Sequence, residues 1–395
     1  MTEITIRQLT TLDEQLDALI ALGGYAFEPS PPLPKHDDWR KWVGPTQDSI
    51  YLAAMQDEQP VSLVVSTPMP QNVRGRIYNA GGVWGVATLP QARRKGYVRQ
   101  LLHHLFTQRQ AAGEIFTNLY AFRESFYTRL GYVAFPMPRT VQFRPDALAP
   151  LLRQELDGSV EMLAIKDGLD LYYDYLERKQ QTIHGMVVFD RKFRESMRDD
   201  NNYWLAVARD AGGQIIGMMP YNIKGQHDDY TLRARVFFYD NPLARYLLLQ
   251  WIARHIDHVD RVRVRFLPGE RPGSWLTDLR VEPQFDDPPL GRVLDVATMG
   301  GMTVGPGAFS AHITDDLCPW NTGAYHFESN NGVLRVEPVD SAPVSLTIQG
   351  LTALVYGTHD PADFVFRGWG DPDTDQQAAM RALFPMQQPY LYEDF

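Results

Sequence analysis

The stretch GVWGVATLPQARRKGYVRQLLHHLF, residues 82–106, decides the fold. Its apolar first part is typical of a buried strand and ends at Pro90. The basic run RRKG at residues 93–96 follows, and apolar residues from Val98 onward then recur at helical spacing. The order strand, basic glycine loop and helix predicts an α/β unit whose chemistry lies at the junction of strand and helix.

Anion binding at a helix N-terminus is the chemistry that this junction fits. The first N–H groups of a helix have no intrahelical partner and lie at the positive end of the helix dipole. Gly96 lets the backbone approach an anion closely, and the preceding basic side chains add charge. The pattern therefore favours a pyrophosphate group, although a basic turn on a solvated surface would look the same. Neither G-x-G-x-x-G nor a G-K-[ST] loop occurs here, which disfavours a dinucleotide fold and a Walker A site.

Composition narrows the class of protein. The 395 residues are too many for one ordinary core and predict two or three domains. A net charge of −10 argues against nucleic acid or an anionic membrane as partner and favours a cationic small molecule or a basic peptide. With no signal-like N-terminus and no apolar run of roughly 20 residues, we expect a cytoplasmic protein. The single cysteine, Cys318, excludes an internal disulfide, and no residues have metal-ligand spacing.

The pattern of strands and helices divides the chain into three parts. The first closes near residue 145, and the second repeats its plan of strands, long helix and strand. At the corresponding junction of the second part, FFYDNPLARYLL (237–248), there is no glycine and one arginine, so we expect no anion site there. The third part is an α+β module with strand-like alternation up to LTALVYG (351–357) and a helix at DTDQQAAMRALF (373–384). The predicted boundaries are 1–148, 149–288 and 289–395.

The order of residues in VATLPQARRKGYV (86–98) resembles motif A of the GCN5-related N-acetyltransferases (GNAT). In that motif a strand ending in V-x-P continues as R-x-x-G-x-[GA]; Val98 stands here where the family has Gly or Ala. The resemblance implies acetyl-CoA as the cofactor, and it implies that the strand binds the pantetheine arm through its main chain and that the loop binds the pyrophosphate. The residues concerned are Val86, Ala87, Thr88, Arg93, Arg94, Lys95, Gly96, Tyr97, Val98 and Arg99, with Phe122 and Arg123 on the other side of the cofactor.

Tyr127 lies in RESFYTRLGY (123–132), which predicts a short helix ended by Gly131. A tyrosine in such a helix is ordinarily a packing residue. The spacing F-Y-x-x-x-G-[YF] is, however, a frequent feature of acetyltransferases, in which the phenol donates a proton to the departing coenzyme A thiolate. We therefore interpret Tyr127 as the general acid.

Over its full length the chain resembles the enhanced intracellular survival (Eis) family. The resemblance rests on two tandem units, the second without a phosphate loop, on VLDV (293–296) and LTALVYG (351–357), and on the aromatic ending YLYEDF (390–395). It implies an α/β (α+β) fold of tandem GNAT-like domains followed by a sterol-carrier-protein-like domain. It also implies that the α-carboxylate of Phe395 enters the first active site as the base, that the acceptors are aminoglycosides or polyamines, and that the protein is a hexamer built from trimers.

Candidates for acceptor binding are aromatic and acidic residues near both ends of the chain, although each also fits a core or solvated position. They are Phe27, Glu28, Trp39, Trp84 and Asp394. Two other functions stay open at this point: a binding protein for an acyl group or lipid without turnover, and an acetyltransferase that modifies protein lysines.

Overall fold

The structure is a computed structural model that describes residues 4–27, 35–43, 48–137, 139–226, 229–284 and 287–395. Glu28, one of the candidate acceptor-binding residues, lies outside these ranges. The chain divides into two compact units. The first consists of Met1–Pro136, Gln180–Phe193 and Pro288–Phe395, and the second of Met137–Lys179 and Arg194–Asp287. None of the described helices is long and apolar enough to cross a bilayer.

Nineteen strands are present in the described residues. In chain order they are β1 Thr5–Leu9, β2 Ile50–Gln56, β3 Gln59–Val73, β4 Arg76–Thr88, β5 Phe116–Tyr120, β6 Val133–Ala134, β7 Arg139–Phe143, β8 Gly158–Ala164, β9 Trp204–Asp210, β10 Ile215–Gln226, β11 Asp229–Ala234, β12 Phe238–Tyr239, β13 Arg261–Phe266, β14 Glu282–Gln284, β15 Pro289–Val293, β16 Ala308–Thr314, β17 Gly323–Asn330, β18 Val333–Pro338 and β19 Val344–Thr347.

The helices of the described residues alternate with these strands. In chain order they are α1 Leu12–Ala18, which a π-helical segment Leu19–Gly24 extends, α2 Tyr25–Phe27, α3 His36–Val43, α4 Tyr97–Ala111, α5 Glu124–Thr128, α6 Ile165–Gln180, α7 Glu195–Asp200, α8 Pro242–Ala253, α9 Ile348–Tyr356, α10 Phe364–Arg367 and α11 Thr374–Leu383.

The first unit contains a seven-stranded sheet with the order β1-β2-β3-β4-β5-β15-β6. All neighbours are antiparallel except β4 and β5, which are parallel and are connected by α4. The leucines of α4 that the sequence placed on one face are buried against this sheet, together with Phe106. A second sheet of this unit, β18-β17-β16-β19, packs with α9 and α11 into a core that also contains residues of β3, β4 and β5.

The second unit contains a sheet with the order β14-β7-β13-β11-β10-β9-β8. Its one parallel pair is β11 with β13, and α8 connects these two strands. The sequence of pairings is therefore the same as in the first unit. Counted from β1 in the first sheet and from β8 in the second, the sixth strand comes from a distant part of the chain: it is β15 in the first sheet and β7 in the second.

The segment LTALVYG, which the sequence analysis assigned to a strand-like run, is helical. Thr347 caps α9 by accepting a hydrogen bond from the Gly350 N–H, and Gly357 ends the helix with a left-handed conformation at φ 67°. Almost every residue of α9 is buried, so the segment is apolar on all sides and has no polar face. For such a short apolar run, periodicity alone does not separate helix from strand.

The hairpin between β3 and β4 anchors the two sheets of the first unit to each other. Its two turn residues, Arg74 and Gly75, both have positive φ, as a type I′ turn requires. The buried Arg74 guanidinium donates to the carbonyls of Leu354, Val355 and Pro385 at 3.0, 2.6 and 2.9 Å. The carboxyl end of α9 is thus neutralised by a cation from the hairpin.

Candidate functional site

The strands β4 and β5 separate at the point where the sequence placed the cofactor. They pair over Ala80–Val83 and Phe116–Leu119, and beyond Val83 strand β4 continues to Thr88 paired only with β3 among the described strands. A register shift between Leu63 and Val65 marks a bulge at Gly85, whose φ is +61°. Because a bulge bends the strand that carries it, the far end of β4 turns away from β5. None of the described strands pairs with the edge of β4 that faces the opening, so an extended ligand can bond to its main chain there.

The N-terminus of α4 opens at the same end of the sheet. Gly96 is the N-cap residue with φ 81° and ψ 7°, and no side chain caps the helix. The first hydrogen bond runs from the Gln100 N–H to the Gly96 carbonyl at 3.2 Å. The amides of Tyr97, Val98 and Arg99 therefore precede the helical hydrogen-bond pattern, and the first turn has no acidic residue. A Cβ built on Gly96 meets nothing within 4 Å, so the space in front of these amides is open.

The four basic side chains of the junction differ in what they do. Arg93 Nε donates to the Thr88 carbonyl at 3.1 Å and so braces the loop against the end of β4. Arg99 donates to the Asp316 carbonyl at 2.9 Å. Arg94, which has φ +62°, and Lys95 are exposed. Arg94 and Lys95 are therefore the basic side chains best placed to bind an anion. Arg93 and Arg99 also make hydrogen bonds within the protein.

Tyr127 lies in α5, directly after the end of β5, and its side chain is only 3% exposed. Its ring packs edge-on against Phe126, Tyr132 and the exposed Phe122, with centroids 4.9, 6.0 and 5.9 Å apart. Burial raises the pKa of the Tyr127 phenol well above its ordinary value, so the hydroxyl stays protonated at neutral pH. The group is therefore present as a neutral hydroxyl that can donate a hydrogen bond.

The last residues of the chain are docked in the first unit. Tyr390, Leu391, Tyr392 and Glu393 are buried. The Tyr390 N–H donates to the His184 carbonyl at 2.8 Å, and Glu393 Oε1 accepts a hydrogen bond from the Phe189 N–H at 3.1 Å. Asp394 is exposed. These contacts hold the tail, and with it the last residue, Phe395, in a defined position.

The Phe395 ring lies against β4 and β5 near the point where they separate. A Cβ on Gly82 would lie 3.0 Å from this ring, and the Tyr120 ring is 5.7 Å away between centroids. Phe395 packs on the cores that contain Phe116 and Trp84. Tyr127 instead belongs to the core on the α4 side of the sheet. The two predicted catalytic residues therefore lie on opposite faces of the first sheet.

Two of the aromatic acceptor candidates share a core with Phe395. Trp84 is buried, donates from Nε1 to Thr67 Oγ1 at 2.9 Å, and belongs with the partly buried Trp39 to the core on which Phe395 packs. Phe27 is exposed, and its ring and that of Trp39 both approach Gly23. The structure thus brings Trp39, Trp84 and Phe395 to one face of the sheet, with Phe27 beside them.

The remaining cofactor candidates lie where the two strands end. Val86 and Thr88 are half-buried, and Ala87 is buried. Ser62 Oγ lies 3.1 Å from the Ala87 carbonyl, to which it donates, and 2.8 Å from Thr88 Oγ1. Phe122 is 72% exposed and Arg123 is the N-cap residue of α5, so both stand at the mouth of the opening.

The sequence analysis did not single out three residues that enclose the Phe395 ring: Met69, Tyr120 and Phe189. The sequence does indicate the position of Tyr120, because alternation along IFTNLYAF puts it on the same face as Phe116. It gives no such indication for Phe189, which follows α6 in a segment without periodicity.

Comparisons with known proteins agree with this geometry. Residues 5–135 match the family model of the acetyltransferase (GNAT) domain, and residues 301–392 match that of a sterol carrier protein domain. No curated protein sequence matches the chain.

Several solved structures have the same fold over the whole chain. A conserved protein of unknown function from Enterococcus faecalis V583, described as a probable N-acyltransferase, has a TM-score of 0.86 at 19% identity, with 100% of both chains covered. A GCN5-related N-acetyltransferase from Anabaena variabilis ATCC 29413 has a TM-score of 0.85 at 16% identity, with 99% of this chain and 100% of that chain covered. Eis1 from Mycobacterium abscessus has a TM-score of 0.79 at 19% identity, again with 100% of both chains covered.

Proposed function

This chain is an acyltransferase with a GNAT domain and a sterol carrier protein domain, and we propose that it transfers an acetyl group from acetyl-CoA to an amine of a cationic small molecule. One observation carries the proposal: an uncapped helix N-terminus with exposed basic residues opens beside the diverging ends of two parallel strands. This arrangement combines a site for a pyrophosphate with a free strand edge for an extended amide-containing arm.

The chain's own residues would hold acetyl-CoA in two places. The main chain of Val86, Ala87 and Thr88 would bond the pantetheine arm along the free edge of β4. The amides of residues 94–99 and the side chains of Arg94 and Lys95 would bind the pyrophosphate, with Phe122 and Arg123 opposite. In this site acetyl-CoA supplies the acyl group as an activated thioester.

The proposed transfer is direct. The amine nitrogen forms the bond to the acyl carbon, and the bond from that carbon to sulfur breaks. The α-carboxylate of Phe395 accepts a proton from the amine, and Tyr127 donates one to the departing thiolate. The separate placement of the two residues, on opposite faces of the sheet, is compatible with these roles, because the amine and the sulfur are different substituents of the tetrahedral carbon and each needs its own proton partner.

The acceptor would enter on the face that carries Trp39, Trp84 and Phe395, beside the exposed Phe27 and Asp394. The net charge of −10 supports a polycationic acceptor, such as an aminoglycoside or polyamine, because a negative field raises the local concentration of cations. Glu28 is included among the proposed acceptor-binding residues on the basis of the sequence alone.

We further propose a cytoplasmic protein with domains spanning 1–148, 149–288 and 289–395, and the resemblance to the Eis family adds a hexamer. Light scattering coupled to gel filtration tests the assembly. A mass of six protomers would support it, and a smaller mass would contradict it.

The first experiment measures thiol release from acetyl-CoA with aminoglycosides, polyamines and a lysine-rich peptide, using protein without a C-terminal tag. Release with a multi-amine molecule is expected. Release with the peptide alone would favour protein lysines as substrates. Binding of acetyl-CoA without any release would favour a binding protein.

Tyr127→Phe separates catalysis from binding. We expect kcat to fall by about 100-fold while the Kd for acetyl-CoA stays the same, because the phenol acts only on the leaving group. Tyr230→Phe, in the second unit, is the control and should change neither. An unchanged kcat for Tyr127→Phe would overturn the role of Tyr127.

A Gly-Ser extension after Phe395 tests the carboxylate. It turns the α-carboxylate of Phe395 into an amide and is expected to abolish turnover while acetyl-CoA still binds. Full activity of the extended protein would exclude Phe395 as the base.

A further inference from the structure

The Phe395 ring occupies a specific place on the sheet. Side chains along β4 alternate between faces, and a Cβ on Gly81 would point at Glu114 and Ser66, whereas one on Gly82 would point at Phe395 and Met69. The ring is therefore on the face opposite α4. The Cβ position of Gly82 lies 3.0 and 3.1 Å from two ring carbons, so only a glycine admits the ring this close to the strand.

Four residues enclose the ring. Gly82 lies beneath it, and Met69 Cε lies 3.1 Å from the same Cβ position of Gly82. The rings of Tyr120 and Phe189 pack edge-on against it, with centroids 5.7 and 5.8 Å away. These contacts fix the ring in one orientation, since a ring held on several sides has little room to turn.

The ring also straddles the two strands where they separate. Gly82 pairs with Asn118, one residue before the last pair, Val83 with Leu119. Tyr120 is the last residue of β5. The opening between β4 and β5 begins beyond the pair of Val83 and Leu119, one residue past Gly82, so the ring lies next to this opening on the face away from α4.

We propose that the Phe395 ring, held by Gly82, Met69, Tyr120 and Phe189, limits the acyl group to two or three carbons. This inference rests on the proposed function and deepens it, because it assigns the acyl chain length to a residue whose carboxylate has a separate role. Replacing Phe395 with alanine removes the six ring carbons and keeps the carboxylate. The space that the ring occupies then becomes available to a longer acyl chain.

The test compares acyl-CoAs from acetyl to octanoyl as donors for wild type and Phe395→Ala with one acceptor. The ratio of kcat/KM for hexanoyl-CoA to that for acetyl-CoA is expected to rise at least tenfold in the variant. Phe366→Ala, which truncates a phenylalanine that is 89% exposed, is the matched control and should leave the ratio unchanged. Equal scaling of all donors in Phe395→Ala would overturn the proposal.

A second variant and a binding measurement keep the proposal independent of turnover and folding. Phe395→Leu is expected to give an intermediate ratio, and the Tm of each variant reports whether it folds. The Kd values of nonhydrolysable S-alkyl analogues of acetyl-CoA and hexanoyl-CoA are expected to differ at least tenfold in wild type and to converge in Phe395→Ala. Equal Kd values in wild type would overturn the chain-length proposal, whereas turnover of no donor at all would contradict the proposed function instead.

Discussion

The two units contain the same strand–helix junction in an open and a closed form. In the second unit, Asn241 caps α8 by accepting a hydrogen bond from the Ala244 N–H at 2.9 Å, and Pro242 occupies the first helical position. Asp240, just before the cap, binds Tyr175, Arg178 and Lys179. Of the first three helix amides, the one at Pro242 is therefore absent and that of Ala244 is satisfied, and an acidic residue directly precedes the cap.

In the first unit the same position has Gly96 without a side chain, and basic residues replace the acidic one. The order of strands and the crossover helix are alike in both units. We therefore expect a few residues at the cap, and not the fold, to decide whether such a junction binds an anion. The absence of glycine in FFYDNPLARYLL led the sequence analysis to expect no site there, and the geometry of Asn241 supplies a physical reason.

Gly96→Asp should close the open junction and has the largest expected effect. The new carboxylate would accept from the first-turn amides and repel a pyrophosphate, so we expect the Kd for acetyl-CoA to rise about 100-fold, or ~2.7 kcal/mol. Calorimetric titration measures it.

Gly113→Asp is the matched control, because Gly113 follows the other end of α4 with φ +83° and equally open space. It imposes the same backbone strain and should leave the Kd unchanged. A similar loss of affinity in both variants would show that backbone strain, and not the carboxylate at the cap, causes the effect.

Low pH should destabilise the first unit through His184. His184, in the first unit, accepts a hydrogen bond at Nδ1 from the Arg74 N–H and lies 3.0 Å through Nε2 from the Tyr356 carbonyl. Desolvation and the Arg74 charge lower its pKa to about 3, so the folded unit keeps His184 neutral. The unfolded chain binds the proton near its ordinary pKa of about 6.5, so stability is lost as pH falls below that value.

The free energy of unfolding is expected to fall by up to ~1.4 kcal/mol per pH unit between about pH 6.5 and 3. His184→Gln keeps a donor and an acceptor and should flatten the slope, as urea denaturation at about pH 7, 6 and 5 would measure. His104 is exposed, and the control variant His104→Gln should leave the slope unchanged. An unchanged slope in His184→Gln would show that His184 is not the group responsible.

Arg94→Asn tests the charge of the open junction without its backbone, since asparagine tolerates the left-handed conformation of residue 94. An exposed charge contributes up to about 1 kcal/mol, so we expect a roughly fivefold weaker Kd for acetyl-CoA. The difference should shrink in high salt. Arg153→Ala, an exposed arginine of the second unit, is the control. A loss that salt does not change would contradict an electrostatic role.

Asn241→Ala should have the smallest effect on cofactor binding. Loss of the cap is expected to destabilise the second unit by about 1 kcal/mol in urea denaturation, while the Kd for acetyl-CoA stays the same. A weaker Kd in this variant would mean that the closed junction takes part in binding after all.

The elements of the open junction could be predicted from the sequence because their signals are local. The apolar strand, the glycine at the cap and the apolar face of α4 all lie within residues 82–106. The same holds for the short helix that carries Tyr127. The roles assigned to these residues remain predictions.

Long-range pairings could not be predicted. The strand at Pro289–Val293 pairs with β5 and β6 of the first sheet, although its pattern gives no indication of its partners. The hydrogen bond of Arg99 to the Asp316 carbonyl and the residues around the Phe395 ring depend on such contacts as well. A pattern of alternation predicts that a strand exists and leaves open which neighbour it joins.

The insertion of β15 between β5 and β6 has a consequence for biosynthesis. When β5 and β6 leave the ribosome, the strand that must join them is about 150 residues from being made. At roughly 5–20 residues per second the edge of β5 waits for about ten to thirty seconds. An unpaired apolar edge invites pairing with other chains. We therefore expect the nascent protein to depend on dilution or on a chaperone during that interval.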